Sequence, residues 1–218
     1  MTDTIDLLER GLRYSGFLTL VRYRLRHCLY RGGWGEVVER ECLELPDAAA
    51  VLLYDARLDQ VVMVEQFRIG GLASGNAWLI EPAGGVISPG CDPVSAGLRE
   101  VREETGCEAW GIEPIASFFV SPGFTSQRLH LFCASTDASR AVGSHGLAAE
   151  GEDTRVVVLD ACYAITGIGA GRLGTMPAIM ALQWLALNRT RLRAGRIGPA
   201  GVSPDPDGGL HANPARHL

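Results

Sequence analysis

Hydrophobic and polar positions alternate in part over residues 17–30, with Val21, Tyr23 and Leu25 opposed to Arg22, Arg24 and Arg26. A period of two predicts a strand. Arg31-Gly32-Gly33 can turn the chain, and residues 34–43 can return beside it. Residues 48–54 and 61–68 predict a second strand pair, joined by 55–60. Shorter strands are expected at 78–81 and 85–87, and further ones at 116–121, 128–135 and 154–160. Residues 161–167 read as a short helix. Over 177–193 the period becomes helical, through Ile179, Leu182, Trp184, Leu185 and Leu187. Trp184 reads there as core. Strands interspersed with helices predict an α/β fold with a mixed sheet and helices on its faces.

A further helix is announced by its ends. Asp92 can cap it, Pro93 fits its first position, and Gly106 fits the position just past its end. At roughly 100° per residue, Val94, Leu98 and Val101 form one stripe. By the same rotation Glu100, Glu103 and Glu104 share a face about 130° away. Three carboxylates at i, i+3 and i+4 repel one another unless a cation joins them. Oxygen-only ligands suit a hard ion such as magnesium, which bridges carboxylates and substrate phosphates. A solvated acidic face with an Arg99–Glu103 ion pair is the alternative on spacing alone. Gly84-Gly85, just upstream, can let the backbone approach an ion, or can form an ordinary turn.

Composition narrows the picture. Apolar residues make up 47% of the 218, enough for a sizeable core. One domain with an accessory segment is the natural expectation at this length. The net charge of −5 does not suggest a nucleic-acid surface. No apolar run approaches the roughly 18 residues of a membrane span, and MTDTIDLLERG lacks the layout of a signal peptide. The six cysteines have no short paired spacing, so they read as reduced and mostly buried, and a cytoplasmic location is the default. Residues 194–218, rich in Gly, Pro and Asp, read as a disordered tail.

The acidic helix and its approach carry a longer pattern. Gly85, five residues, Cys91, seven residues, then Arg99-Glu100-Val101-Arg102-Glu103-Glu104-Thr105-Gly106-Cys107 resembles the Nudix box of nucleoside diphosphate-X hydrolases. One defined position departs, with Cys91 where the family has glutamate. Val64-Glu65-Gln66-Phe67-Arg68, Glu81-Pro82-Ala83-Gly84-Gly85, Ser121-Pro122-Gly123-Phe124-Thr125-Ser126, Gly146-Leu147-Ala148-Ala149-Glu150-Gly151-Glu152-Asp153 and Ala181-Leu182-Gln183-Trp184-Leu185 resemble segments of the ADP-ribose pyrophosphatase branch. The likeness runs from about residue 14 to 192.

The resemblance implies the α/β/α Nudix sandwich over residues 47–193, preceded by a β-rich dimerisation segment over 1–46. It implies a homodimer acting on a nucleoside diphosphate sugar with magnesium, for which manganese can substitute. It makes Glu100, Glu103, Glu104, the Gly84 carbonyl and Glu152 metal-binding groups, and Arg99 a structural or phosphate-side residue. Glu150 matches the branch's catalytic base, although 141–153 can equally be read as a mobile acidic loop. Phe17 matches an aromatic that stacks on the base, and Arg40 and Arg68 match residues near base and phosphates. Phe17 as core and Arg40 as a strand-surface charge are the plainer alternatives. Ser121 and Gly123 fall in a segment that shapes the sugar and diphosphate pocket. Gln127 stands where the branch often has glutamate. The implied reaction is hydrolysis of ADP-ribose to AMP and ribose 5-phosphate. Another nucleotide sugar such as GDP-mannose, or a degenerate domain that binds nucleotide without cleaving it, are the alternatives.

Overall fold

A computed structural model describes residues 4–146, 153–169 and 171–195. Two sheets organise them. β1 (Ile5–Ser15), β2 (Thr19–His27) and β3 (Val38–Glu44) form an antiparallel three-stranded sheet in the order β1-β2-β3. β4 (Ala48–Asp55), β5 (Gln60–Phe67), β6 (Trp78–Glu81), β7 (Ala83–Val86), β8 (Trp110–Phe119), β9 (Arg128–Ser135), β10 (Ser144–His145) and β11 (Thr154–Asp160) form a mixed sheet. Its order is β10-β11-β5-β4-β9-β8, with β6 on β5 and β7 on β4. Helix α1 (Pro93–Thr105) covers one face, and α2 (Ala161–Thr166) and α3 (Met176–Arg193) cover the other.

β4 shows why the layers stack this way. Ala50, Leu52 and Tyr54 enter the core shared with α2 and α3, while Ala49, Val51 and Leu53 enter the core beneath α1. A strand buried on both faces reads as a continuous apolar run, as Ala48–Tyr54 does in sequence. β4 runs parallel to β9 from Ala48↔Leu129 to Tyr54↔Ser135, and antiparallel to its other neighbours.

The sheet forks at its centre, and the fork positions the site. β4 and β5 pair only between Leu53–Asp55 and Gln60–Val62. Beyond that they separate. β6 takes the free half of β5 (Val64↔Glu81, Phe67↔Trp78), and β7 takes the free half of β4 (Ala50↔Gly84, Ala48↔Val86). Pro82, with no N–H to donate, sits at the bend between β6 and β7.

The ends of α1 follow from local chemistry. Asp92 accepts hydrogen bonds from the Val94 and Ser95 amides, and Gly106 closes the helix at φ 63°. The buried face differs from the stripe that rotation predicts. Ala96, Gly97, Val101, Glu104 and Thr105 are buried, Val94 packs at the edge of the core, and Leu98 is half-buried. Gly97 lies against Val51, where an added Cβ would stand 2.8 Å from Val51 Cγ2. That close approach turns Glu104 inward.

β1 is an element that the apolar pattern does not predict. It pairs with β2 from Ile5↔His27 to Ser15↔Thr19 through two register shifts, which break any clean alternation. The cysteines also differ from expectation. None of the six forms a disulfide, but Cys107 and Cys133 are buried while Cys28, Cys91 and Cys162 are exposed. No described helix is long and apolar enough to cross a membrane.

The far end of α3 is tied to the β4–β5 turn. Asp59, at φ 60°, accepts from Tyr54 (2.7 Å), Arg189 (Nε, 2.8 Å) and Arg193 (2.5 Å). The Arg189 hydrogen bonds outweigh burial and hold the Asp59 carboxyl at about 2, against an ordinary 3.8. A depressed carboxylate stabilises the fold above the unfolded value and loses that contribution as pH falls through the folded one. Asp59→Asn is therefore expected to cost about 2 kcal/mol at pH 7. The gap to the unaltered protein should close between pH 4 and 2, read by chemical denaturation across that range.

Candidate active site

A cavity of about 860 Å³ opens at the fork, within the range of small-molecule sites. One wall is the carboxylate face of α1 and the Gly84-Gly85 segment of β7. The other carries Gln66 of β5, Arg68 just past its end and Glu81 of β6, with Gln127 and Phe17 at its rim.

Glycine at 84 and 85 is required by close approach. A Cβ on Gly84 would stand 2.4 Å from the Ala49 carbonyl oxygen and 2.8 Å from Ala50 Cα. A Cβ on Gly85 would stand 2.6 Å from Glu100 Cδ. The absent side chains leave the cradle in which the Glu100 carboxylate rests. Glu104, only 2% exposed, accepts from the Gly84 N–H at 2.9 Å.

Arg99 serves as the protein's own cation here. Its Nη2 lies 2.5 Å from Glu100 Oε1, and its Nε lies 3.9 Å from Glu103 Oε2. The spacing predicts the Glu103 pair, and the structure adds the shorter Glu100 pair. The Glu100 charge raises the Arg99 guanidinium further above its ordinary value. Among the described residues no three His, Cys, Asp or Glu side chains converge into a ready-made metal cluster. The donor set nonetheless fits a hard divalent cation: two glutamates and a glycine backbone at the cavity wall, a third glutamate behind them, all oxygen. Cys91 lies exposed in the turn before α1, outside the cavity lining, so the thiol adds no soft donor to this wall.

On the opposite wall Arg68 Nε pairs with Glu81 Oε2 at 2.6 Å. Beneath this pair, Glu65 faces the other side of β5 and is gripped by Arg155 and Arg172. Gln127 donates from its amide to the Pro46 carbonyl at 2.9 Å. Glutamate could not donate there, which gives the amide at this position a structural reason.

Of the residues singled out from sequence, the cavity brings together Phe17, Arg68, Gly84, Arg99, Glu100 and Glu103, with Glu104 at its back. Phe17 is fully exposed at the β1–β2 turn. Arg40 is exposed on β3 opposite Tyr23 and does not line the cavity of its own chain. Ser121 and Gly123 sit in the β8–β9 turn, also outside the lining. That turn docks on the end of β3, where Leu43 exchanges hydrogen bonds with Phe124 and Ser126. Glu150 and Glu152 lie outside the described residues. Glu81 and Gln66 fall in quoted motifs, but sequence reasoning gives neither a role.

The profile of the NUDIX domain matches residues 44–161, more than half of the chain, and spans the fork, the glycine cradle and α1. The chain belongs to the Nudix family. Among its relatives are the ADP-ribose pyrophosphatase of Haemophilus influenzae, 37% identical over 87% of this chain and 89% of the relative, and that of Escherichia coli, 37% identical over 88% and 92%. The GDP-mannose pyrophosphatase of Pectobacterium atrosepticum is 31% identical over 84% and 94%. The mixed α/β architecture and the hydrolase assignment drawn from the Nudix box agree with this membership. Within the Nudix domain the carboxylate helix is α1 and the glycine cradle is β7.

Proposed function

We propose that this chain hydrolyses the diphosphate bond of ADP-ribose with magnesium, giving AMP and ribose 5-phosphate. The observation that carries the reading is one cavity with α1 carboxylates and a glycine cradle on one wall and Arg68 on the other. Greater identity to relatives named ADP-ribose pyrophosphatase than to one named GDP-mannose pyrophosphatase favours this substrate. A bound magnesium ion would neutralise the diphosphate, polarise its phosphoryl oxygens and lower the pKa of water.

The chain's residues supply the rest. Glu100, Glu103, Glu104 and the Gly84 carbonyl would hold the cation, with Glu152 assigned to it by resemblance alone. Arg99 holds Glu100 in place, and the Gly84 N–H fixes the rotamer of Glu104. Arg68 presents a planar fork to phosphate oxygens. Glu150, by resemblance, takes the proton of the attacking water. The new P–O bond forms as the bridging P–O bond breaks, and the leaving phosphate oxygen departs with its electron pair.

The reading extends to a homodimer through the N-terminal strands in a cytoplasmic protein. Ile5, Leu7 and Leu12 of β1, paired with His27, Leu25 and Val21 on one face of the sheet, are more than half exposed, an apolar row that a second copy would cover. A panel of nucleoside diphosphate sugars with magnesium, with product analysis, tests the substrate. Release of AMP and ribose 5-phosphate from ADP-ribose at the highest kcat/KM is expected. Preference for GDP-mannose, or tight nucleotide binding without turnover, would overturn the reading.

A further inference from the structure

We propose that Gln66 is a substrate-binding residue whose side-chain amide donates to an acceptor oxygen of the bound nucleoside diphosphate. The inference rests on the ADP-ribose reading for its ligand. Its physical basis lies in the protein alone.

β5 sends Val62, Val64 and Gln66 toward α1, every second residue. Val62 and Val64 are fully buried in the core below that helix. An apolar residue at 66 would continue the row. Glutamine stands there instead, 6% exposed, and its Nε2 has no hydrogen-bond partner. A buried amide without a partner is costly, and native proteins retain few of them.

Only four buried side-chain nitrogen or oxygen atoms among the described residues lack a partner, on Arg22, Gln66, Arg128 and Thr154. Of these residues, Gln66 alone lines the cavity. Glu81 and Glu100 share the cavity lining with it, and each already accepts from a guanidinium, Glu81 from Arg68 and Glu100 from Arg99. The neutral amide nitrogen of Gln66, on the same lining, has no such partner. A donor without a partner at a cavity wall matches a ligand acceptor, and diphosphate oxygens and sugar hydroxyls are such acceptors.

This role makes a prediction that a structural role does not. Gln66→Met removes the buried orphan amide at similar volume, so the free protein should keep or raise its melting temperature. The same change should raise KM for ADP-ribose roughly tenfold to a hundredfold, the worth of one hydrogen bond to a charged oxygen, with kcat little altered. Gln66→Glu keeps the shape and deletes the donor, and should weaken binding in the same direction. ADP is the second probe. Weaker ADP binding in both variants places the acceptor on the adenosine diphosphate part, whereas loss confined to ADP-ribose places it on the terminal sugar. A less stable Gln66→Met with unchanged KM would overturn the proposal. So would unchanged affinity for both ligands in Gln66→Glu. If the unaltered enzyme ignores ADP-ribose, the functional reading fails, and ADP binding still decides the role of Gln66.

Discussion

Glu100→Gln should reduce turnover of ADP-ribose by roughly a thousandfold while the fold stays intact. The carboxylate rests in the Gly85 cradle and is aimed by Arg99 at 2.5 Å. Glutamine keeps the shape and can still accept from Arg99 through its carbonyl oxygen, so packing should hardly change. What it removes is charge at the place where a divalent cation would bind. Charge stabilisation by a bound metal is worth several kcal/mol, and about 4 kcal/mol corresponds to the thousandfold loss. Steady-state kinetics against magnesium concentration, with a melting curve alongside, checks both halves. If turnover survives at an unaltered magnesium dependence, Glu100 is not a metal ligand.

The second large effect separates two adjacent glycines. At Gly84 the obstacle to a methyl group is backbone, the Ala49 carbonyl oxygen at 2.4 Å and Ala50 Cα at 2.8 Å. Neither can rotate away, so Gly84→Ala must push β7 off β4 and carry the Glu104 hydrogen bond with it. Overpacking of this kind costs about 3 kcal/mol, or roughly 6–12 °C in melting temperature for a protein of this size. At Gly85 the obstacle is the end of the Glu100 side chain, which can swing aside. Gly85→Ala should therefore melt within a few degrees of the unaltered protein yet lose activity much as Glu100→Gln does. Thermal unfolding and kinetics on the two variants give opposite patterns if the cradle works as described. Equal stability losses at both positions would show that Gly85 serves the fold and not the carboxylate.

The parts of this molecule that sequence makes legible are those set by local chemistry. Asp92, Pro93 and Gly106 delimit α1, and its cap and left-handed terminus follow from those residues alone. β9 and β11 run where their apolar patterns place them. What depends on the approach of two elements is harder to read. Rotation about α1 places all three glutamates away from the buried stripe, yet Gly97 lets the helix settle so closely on Val51 that Glu104 is buried and takes the Gly84 amide. β1 escapes a periodicity search because Ile5-Asp6-Leu7-Leu8-Glu9 does not alternate and its pairing with β2 is interrupted twice.

The site divides along the same line. Glu100, Glu103 and Arg99 are visible as a spaced motif, because helix geometry alone brings them together. Gln66 is visible only as part of Val64-Glu65-Gln66-Phe67-Arg68. Its meaning comes from a buried amide nitrogen without a partner on a cavity-lining residue, which no spacing rule reports. Arg40, Ser121 and Gly123 show the converse, since motif likeness groups them with the site while the described chain holds them away from its cavity.

The most direct test is a crystal structure with manganese and a nonhydrolysable ADP-ribose analogue, using anomalous scattering to locate the metal. The expected result is metal density roughly 2.0–2.2 Å from Glu100 and from the Gly84 carbonyl oxygen, with the analogue's diphosphate beside it and Arg68 on its far side. Metal bound elsewhere, with the Glu100 carboxylate still held by Arg99 and no diphosphate in the cavity, would contradict it.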